Sequence, residues 1–150
     1  MQYSNFMTLL AIFAFLSACG GSSTKEAGTE GAGSFNDFRT EATAQAGTDA
    51  VECGTVEVGE SQIDANSCVA NAFANRETFV AFYKLQGIDS EVASAIVGNA
   101  RGEVSYWLYD SNPSGGIPAS PSRIDKEECK NATLSGSLDT GYENLFICAE

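Results

Sequence analysis

Five cysteines in a chain of 150 residues constrain its fold more than any other feature of the sequence. They are Cys19, Cys53, Cys68, Cys129 and Cys148. No two of them show the two-residue spacing of redox pairs and zinc sites, so we predict no metal site and no cofactor. Because an odd number of cysteines cannot pair completely within one chain, at least one must have another fate.

The amino-terminal residues offer an explanation for the odd cysteine. Residues 1–18 carry no charged side chain, and residues 6–16 are apolar except for Thr8. A membrane-spanning helix needs about 20 apolar residues, so this shorter run has the length of a secretory signal peptide that is later removed. The run ends in an aliphatic residue, two small residues and a cysteine, Leu16-Ser17-Ala18-Cys19.

This four-residue segment resembles the lipobox of bacterial lipoproteins. The resemblance implies cleavage before Cys19, attachment of a diacylglycerol to its sulfur through a thioether, and acylation of the new amino terminus. Several acyl chains on one residue anchor a protein stably in a membrane.

In Gram-negative lipoproteins an Asp after the lipidated Cys usually retains the protein at the inner membrane. Gly20 stands there in this chain, so the resemblance implies a cell-envelope protein at the outer membrane if the host is Gram-negative. The alternative is an ordinary secretory signal with an incidental Cys. The segment departs from the lipoprotein pattern in one respect, because residues 1–5 contain no Lys or Arg.

The residues after the signal peptide 1–18 have the composition of a flexible tether, which we place over residues 19–50. Gly, Ala, Ser and Thr dominate it, and such a segment cannot bury enough apolar surface to offset the cost of ordering it. One short helix is predicted within it, with Ser34 as its amino-terminal cap and Phe35, Phe38 and Ala42 on one face. This face either docks on the domain or packs against nothing.

A single α+β domain is predicted over residues 51–150. A helix spans about 63–74 and begins at Ser61 or Asp64. The predicted strands are 78–85, 91–97, 103–109 and 144–148, with a hairpin loop at 99–102, a longer loop at 110–122 and one helical turn at 125–130. We expect a small two-layer fold in which one helix packs on an antiparallel sheet of about four strands.

Four cysteines remain for this domain if Cys19 carries lipid. Export to an oxidising compartment favours disulfides, and four cysteines allow three pairings. We favour Cys53–Cys68 and Cys129–Cys148, because each pair joins the end of a segment to a nearby element. Closing loops of this size stabilises a fold by about 3 kcal/mol each in the chain-entropy model.

Charge and the absence of histidine exclude several functions. Eight Lys and Arg against 20 Asp and Glu give a net charge of -12. So acidic a chain repels phosphate backbones, and we predict no binding to nucleic acid. Without histidine, the Ser-His-Asp and Cys-His nucleophile systems are excluded.

Two features could bind a partner or ligand. Trp107 and Tyr109 share one face of their predicted strand, opposite Val104, Tyr106 and Leu108. If the helix covers the Tyr106 side, Trp107 and Tyr109 form an exposed binding face; if it covers theirs, they are core residues.

The second feature is the loop 110–116, where Asp110, Ser111 and Asn112 offer oxygen ligands that Asp89 and Ser90 could join. Asp, Asn, Pro and Gly are also ordinary turn formers, and we favour the interpretation that the loop is structural.

The sequence thus favours a non-enzymatic lipoprotein, anchored in the membrane through Cys19, whose domain binds an envelope protein or other envelope component. Two alternatives remain at this point. One is a periplasmic enzyme that uses paired carboxylates, acting on a glycan. The other is a compact inhibitor of an exported enzyme.

We predict that Cys19→Ser abolishes incorporation of a fatty-acid analogue, because only the thiol can form the thioether. The measurement is metabolic labelling of the full chain in bacterial cells, read out by in-gel fluorescence. The conservative variant Ser17→Ala, which keeps a small residue at its position, serves as the control and should label like the wild type. Continued labelling of the Cys19→Ser protein would refute the lipobox interpretation.

Overall fold

The computed structural model describes residues 26–30, 33–116 and 120–149. The predicted signal peptide and Cys19 lie outside these residues. The described helices are α1 (Phe35–Ala46) and α2 (Ile63–Asn75). The strands are β1 (Glu26–Glu30), β2 (Val51–Val56), β3 (Phe79–Leu85), β4 (Val92–Gly98), β5 (Val104–Asp110), β6 (Arg123–Cys129), β7 (Thr133–Leu134) and β8 (Phe146–Ile147). Neither helix of the described part is long and apolar enough to cross a membrane.

Six of the strands form one mixed sheet in the order β1-β6-β5-β4-β3-β2, and β7 pairs with β8 in a second, small sheet. All neighbours in the large sheet are antiparallel except β2 and β3, which are parallel because α2 connects them as a crossover. The predicted α+β class with two disulfides is confirmed. The sheet has more strands than expected, and it carries two helices instead of one.

Helix α1 docks on the sheet, so the folded unit begins before residue 51 and the predicted tether over 19–50 is too long. Ser34 and Asp37 form a capping box, in which the Asp37 carboxylate accepts from the Ser34 backbone N–H at 2.7 Å. Phe38, Ala42 and Ala46 repeat every four residues and are buried on one face of the helix. The small residues around Phe38 give the segment the composition of a linker, but this apolar stripe is enough to order it.

Each helix covers its own face of the sheet and closes its own hydrophobic core. On the α1 side, Phe38 and Ala42 pack with Phe82 of β3 and with Trp107 and Tyr109 of β5. The core on the α2 side is formed by Val69 and Ala72 of the helix, by Phe79, Tyr83 and Ile96 of the sheet, and by Leu145 and Phe146 near the carboxyl end. At the end of β4, Gly98 has no room for a Cβ, because the Phe79 ring packs directly against it.

Two segments differ from their predicted structure. Residues 123–129 form strand β6 where one helical turn was expected over 125–130; only Ile124 and Cys129 point into a core, so the strand has too few apolar residues to be recognised. The last predicted strand, 144–148, is reduced to β8, which follows a short 3-10 turn at Tyr142–Asn144.

Both disulfides have the pairing that the sequence favoured. Cys53–Cys68 joins β2 to α2, with Cα atoms 5.5 Å apart, and Cys129–Cys148 joins the end of β6 to the carboxyl-terminal segment, with Cα atoms 5.0 Å apart. Each closes a short loop, of 15 and 19 residues. The second disulfide holds a segment that has little regular structure of its own.

We predict that Phe38→Ala lowers the free energy of unfolding by about 3–5 kcal/mol, because it leaves a cavity between α1 and the sheet. Gln45→Ala, an exposed position on the same helix, should change it by less than about 0.5 kcal/mol. Urea unfolding followed by tryptophan fluorescence measures both, since Trp107 lies in the same core. Equal stability of the two variants would show that α1 does not stabilise the domain.

Candidate functional site

The predicted binding face of Trp107 and Tyr109 is wrong, because α1 covers it. The two side chains are only 2% and 1% exposed. Tyr109 stacks on Phe38 at 5.5 Å between ring centroids. The Lys126 Nζ lies 3.8 Å from the centroid of the Trp107 ring and forms an ion pair of 2.8 Å with Glu41 of α1. Both aromatic residues therefore belong to the core.

An open groove lies on the opposite face of the sheet, where β5 and β6 extend beyond the core that α2 closes. It has a volume of about 560 Å3. Its floor and walls include six side chains with chemistry suited to binding: Tyr106, Leu108, Asp125, Glu127, Tyr142 and Glu143. We call it the open-face groove.

The sheet register places four of these side chains in two cross-strand pairs. Tyr106 of β5 faces Glu127 of β6, and Leu108 faces Asp125. Leu108 is 41% exposed, although β5 is an inner strand of the sheet. Beside it on β4, the buried Ser94 uses its hydroxyl to donate to the Trp107 carbonyl at 2.8 Å, so it offers the groove no free donor. The floor is therefore mainly apolar and aromatic, with Asp125 and Glu127 on the β6 side and Glu143 on the 3-10 turn.

The wall opposite β6 is the 3-10 turn at Tyr142–Asn144, which packs against α2 and β3. The Tyr142 ring stacks on Tyr83 at 4.8 Å between centroids, and the Tyr142 backbone N–H donates to Gln62 Oε1 at 2.8 Å. Cys148, disulfide-bonded to Cys129, also borders the groove. The disulfide and these contacts fix the wall in place.

A buried polar cluster holds the segment before this turn. Asn66 of α2 is fully buried and accepts from the Tyr83 hydroxyl at 2.9 Å. Its amide nitrogen donates to the carbonyl oxygens of Leu138 and Thr140, at 3.0 and 3.1 Å. The amide thus uses both of its hydrogens and its oxygen, which is what a polar side chain needs when it is removed from water. Burial raises the pKa of Tyr83 well above its ordinary value.

The open-face groove is negatively charged. Arg123 pairs with Asp125 at 2.6 Å, whereas Glu127 and Glu143 are exposed and have no ion-pair partner in the described part of the chain. Burial raises the pKa of the Tyr106 hydroxyl, and the charges of Glu143 and Glu127 add to this shift. Three carboxylates and one guanidinium leave an excess of two negative charges around an apolar floor.

The loop after β5 uses its oxygens within its own structure. Asp89 approaches the loop, as the sequence allowed, and its carboxylate accepts from the Gly116 backbone N–H at 3.2 Å. Asn112 Oδ1 accepts from both the backbone and the hydroxyl of Ser120, each at 2.8 Å. Across the described ranges, no group of three or more Asp, Glu or Cys side chains is placed to hold a metal ion. These contacts favour the interpretation of the loop as a structural turn.

A second groove, of about 660 Å3, runs between α1 and the edge strand β2. Small and polar side chains line it, including Thr40, Thr43 and Thr48, together with Arg39 and Glu52. It has no large apolar side chain on its floor, so burying a ligand there would release little apolar surface from water. We therefore regard the open-face groove as the better candidate.

No protein-family model matches this chain, and no curated protein or solved structure is significantly similar to it. The candidate site consequently rests on geometry alone. Tyr106 and Leu108 share one face of their strand, as predicted, whereas the sequence pattern gave no sign that Glu127, Tyr142 and Glu143 lie near them. Most residues of β6 are charged, so the sequence does not show the apolar alternation of a strand there. Without that strand, Glu127 cannot be placed beside Tyr106.

We predict that the domain loses stability above about pH 10. Burial raises the pKa of Tyr83, Tyr106 and Tyr109 in the folded state, above the unfolded value of about 10. These hydroxyls contribute their full stabilisation while the pH is below the unfolded pKa of about 10. The free energy of unfolding falls as the pH rises above it, because the unfolded chain loses these protons first. Urea unfolding at pH 8 and pH 11 measures the change.

The variant Tyr83→Phe separates the two contributions of this residue. At pH 8 it should lose about 1–3 kcal/mol, since the Asn66 oxygen is left without its donor. Between pH 8 and pH 11 it should lose less stability than the wild type, because one of the shifted hydroxyls is gone. Parallel pH profiles for the two proteins would contradict the role given to Tyr83.

Proposed function

We propose that this chain is a lipid-anchored lipoprotein of the bacterial cell envelope, and that its domain is a non-enzymatic module that binds a partner in the open-face groove. The observation that carries the binding function is the uncovered part of the sheet around Leu108. The lipobox resemblance at Cys19 supports the anchor. The two disulfides are typical of an exported protein.

The position of β1 supports a domain held close to its membrane. This strand begins at Glu26, and only residues 20–25 separate it from Cys19. At about 3.5 Å per extended residue, this connection reaches no farther than about 25 Å. A module so near the bilayer suits a partner that is itself part of the envelope.

The shape and composition of the groove support binding. Its volume of about 560 Å3 falls within the range of known ligand sites, and apolar and aromatic side chains line its floor. Exposed apolar surface in a concave site gains free energy when a partner covers it. Fully burying the exposed part of Leu108 contributes up to about 1 kcal/mol on this scale.

The carboxylates at the groove favour binding over acid–base catalysis. A catalytic acid in a glycosidase is usually buried in an apolar pocket or placed beside a second carboxylate, which raises its pKa. Glu127 and Glu143 are instead exposed to water, and Asp125 is paired with Arg123. We therefore assign them to recognition of a partner.

Site-specific photo-crosslinking tests the binding function. We expect a benzophenone amino acid at position 108 to give a discrete adduct in cells that produce the full chain. The same group at the fully exposed position Ile88 should not give it. An excess of unlabelled wild-type chain should suppress the adduct.

A competitor with Leu108→Asp makes this test specific to the groove. We expect it to suppress the adduct at least ten times less well than the wild-type competitor, because a charge replaces the apolar contact. Equal adducts at positions 108 and 88, or equal competition by both chains, would overturn the proposal. Circular dichroism confirms that the competitor is folded.

A further inference from the structure

We propose that the open-face groove recognises a basic peptide segment of its partner, in which a Lys or Arg side chain lies next to an apolar one. This inference rests on the proposed binding function and names the chemistry of the partner. The basic group would lie between Glu127 and Glu143, and the apolar side chain would cover Leu108.

Charge complementarity points to a cationic ligand. Among the side chains that line the groove, Arg123 is already paired with Asp125, and Lys126 directs its ammonium to the other face of the sheet. Glu127 and Glu143 are left without a cation in the described residues, although both lie close enough to Tyr106 to affect its pKa. A ligand cation between them would meet two carboxylates, whereas an anionic ligand would be repelled.

The aromatic side chains favour the same ligand. Lysine and arginine carry long apolar stems below their charged groups, and these stems pack well along aromatic surfaces. The domain already contains such a contact on its other face, where Lys126 lies over Trp107 and pairs with Glu41. Tyr106, Tyr142 and the two glutamates offer an aromatic and acidic combination of the same kind to an external cation.

Leu108 indicates that charge alone does not define the partner. It is one of few large apolar side chains left exposed in the described part of the chain. On the neighbouring strand β6, Asp125 lies directly across from it and Glu127 lies two residues farther along. A small polyamine would satisfy the carboxylates but leave Leu108 in water. A peptide that carries an apolar side chain beside its basic one satisfies both.

Fluorescence anisotropy with the full chain in a non-ionic detergent tests the inference. The probe is a labelled hexapeptide of alternating lysine and leucine, compared with one of alternating glutamate and leucine and one of alternating lysine and serine. We expect the lysine–leucine peptide to bind at least tenfold more tightly than either of the others. We also expect its affinity to fall as salt is raised, and spermidine to compete poorly.

Two double variants with the same change in net charge locate the binding. Glu127→Gln with Glu143→Gln should weaken binding of the lysine–leucine peptide at least tenfold. Glu77→Gln with Glu128→Gln should weaken it less than twofold; Glu77 follows α2, and Glu128 lies on the opposite face of β6. Equal losses in the two double variants would overturn the inference and indicate attraction to the acidic surface in general.

The outcomes also separate this inference from the proposed function. If crosslinking at position 108 is competed by the wild-type chain but the glutamate variants bind the peptide normally, the groove binds a partner of other chemistry and this inference fails alone. Equal affinity for the lysine–serine peptide, or efficient competition by spermidine, would likewise refute the requirement for an apolar neighbour. If position 108 gives no specific adduct either, both proposals fail.

Discussion

Burial of β3 and β4 on both faces is the constraint on which the rest of the structure depends. Residues 79–83 and 93–98 are all buried, so neither strand has a face that water can cover. A sheet with such a centre needs a layer on each side. Helix α2 supplies one layer, and α1 must supply the other. This requirement explains why α1 docks on the sheet and why Trp107 is buried. It also explains why the open surface lies at β5 and β6 and not at the centre of the sheet.

The parts of the fold that could be predicted are those whose stabilising contacts lie in local apolar patterns. Helix α2 and strands β3, β4 and β5 each carry enough apolar side chains to be recognised alone, and the two disulfides join neighbours along the chain. Strands β1 and β6 could not be found in this way, because their residues are mostly charged or small and pairing with neighbours defines them. The candidate site depends on β6 and on the turn at Tyr142–Asn144, so its composition was not visible in the sequence. The run of apolar residues in β3 was the available sign that a second helix was needed.

The acidic composition has different consequences on the two faces of the sheet. On the α1 face, Lys126 neutralises Glu41 and covers Trp107, so the charge there contributes to closing the core. On the α2 face, Glu127, the next residue along β6, points into the open-face groove with no such partner in the described residues. Alternation along a single strand thus gives one face a satisfied ion pair and the other an unsatisfied carboxylate. Because exposed ion pairs contribute little to stability, the difference has little effect on folding, and it bears mainly on the proposed recognition of a cation.

The wall of the groove explains why a domain of this size uses a buried amide and a disulfide at the same end. The segment from β7 to β8 contains only short elements, and without support it would gain too little from packing to stay ordered. Asn66 holds the backbone at Leu138 and Thr140, and the Cys129–Cys148 disulfide holds the end of the segment. Together they hold Tyr142 and Glu143 at the same groove as Glu127. Since a preformed site avoids the entropy cost of ordering its wall during binding, the contacts that stabilise this segment also favour the proposed recognition of a partner.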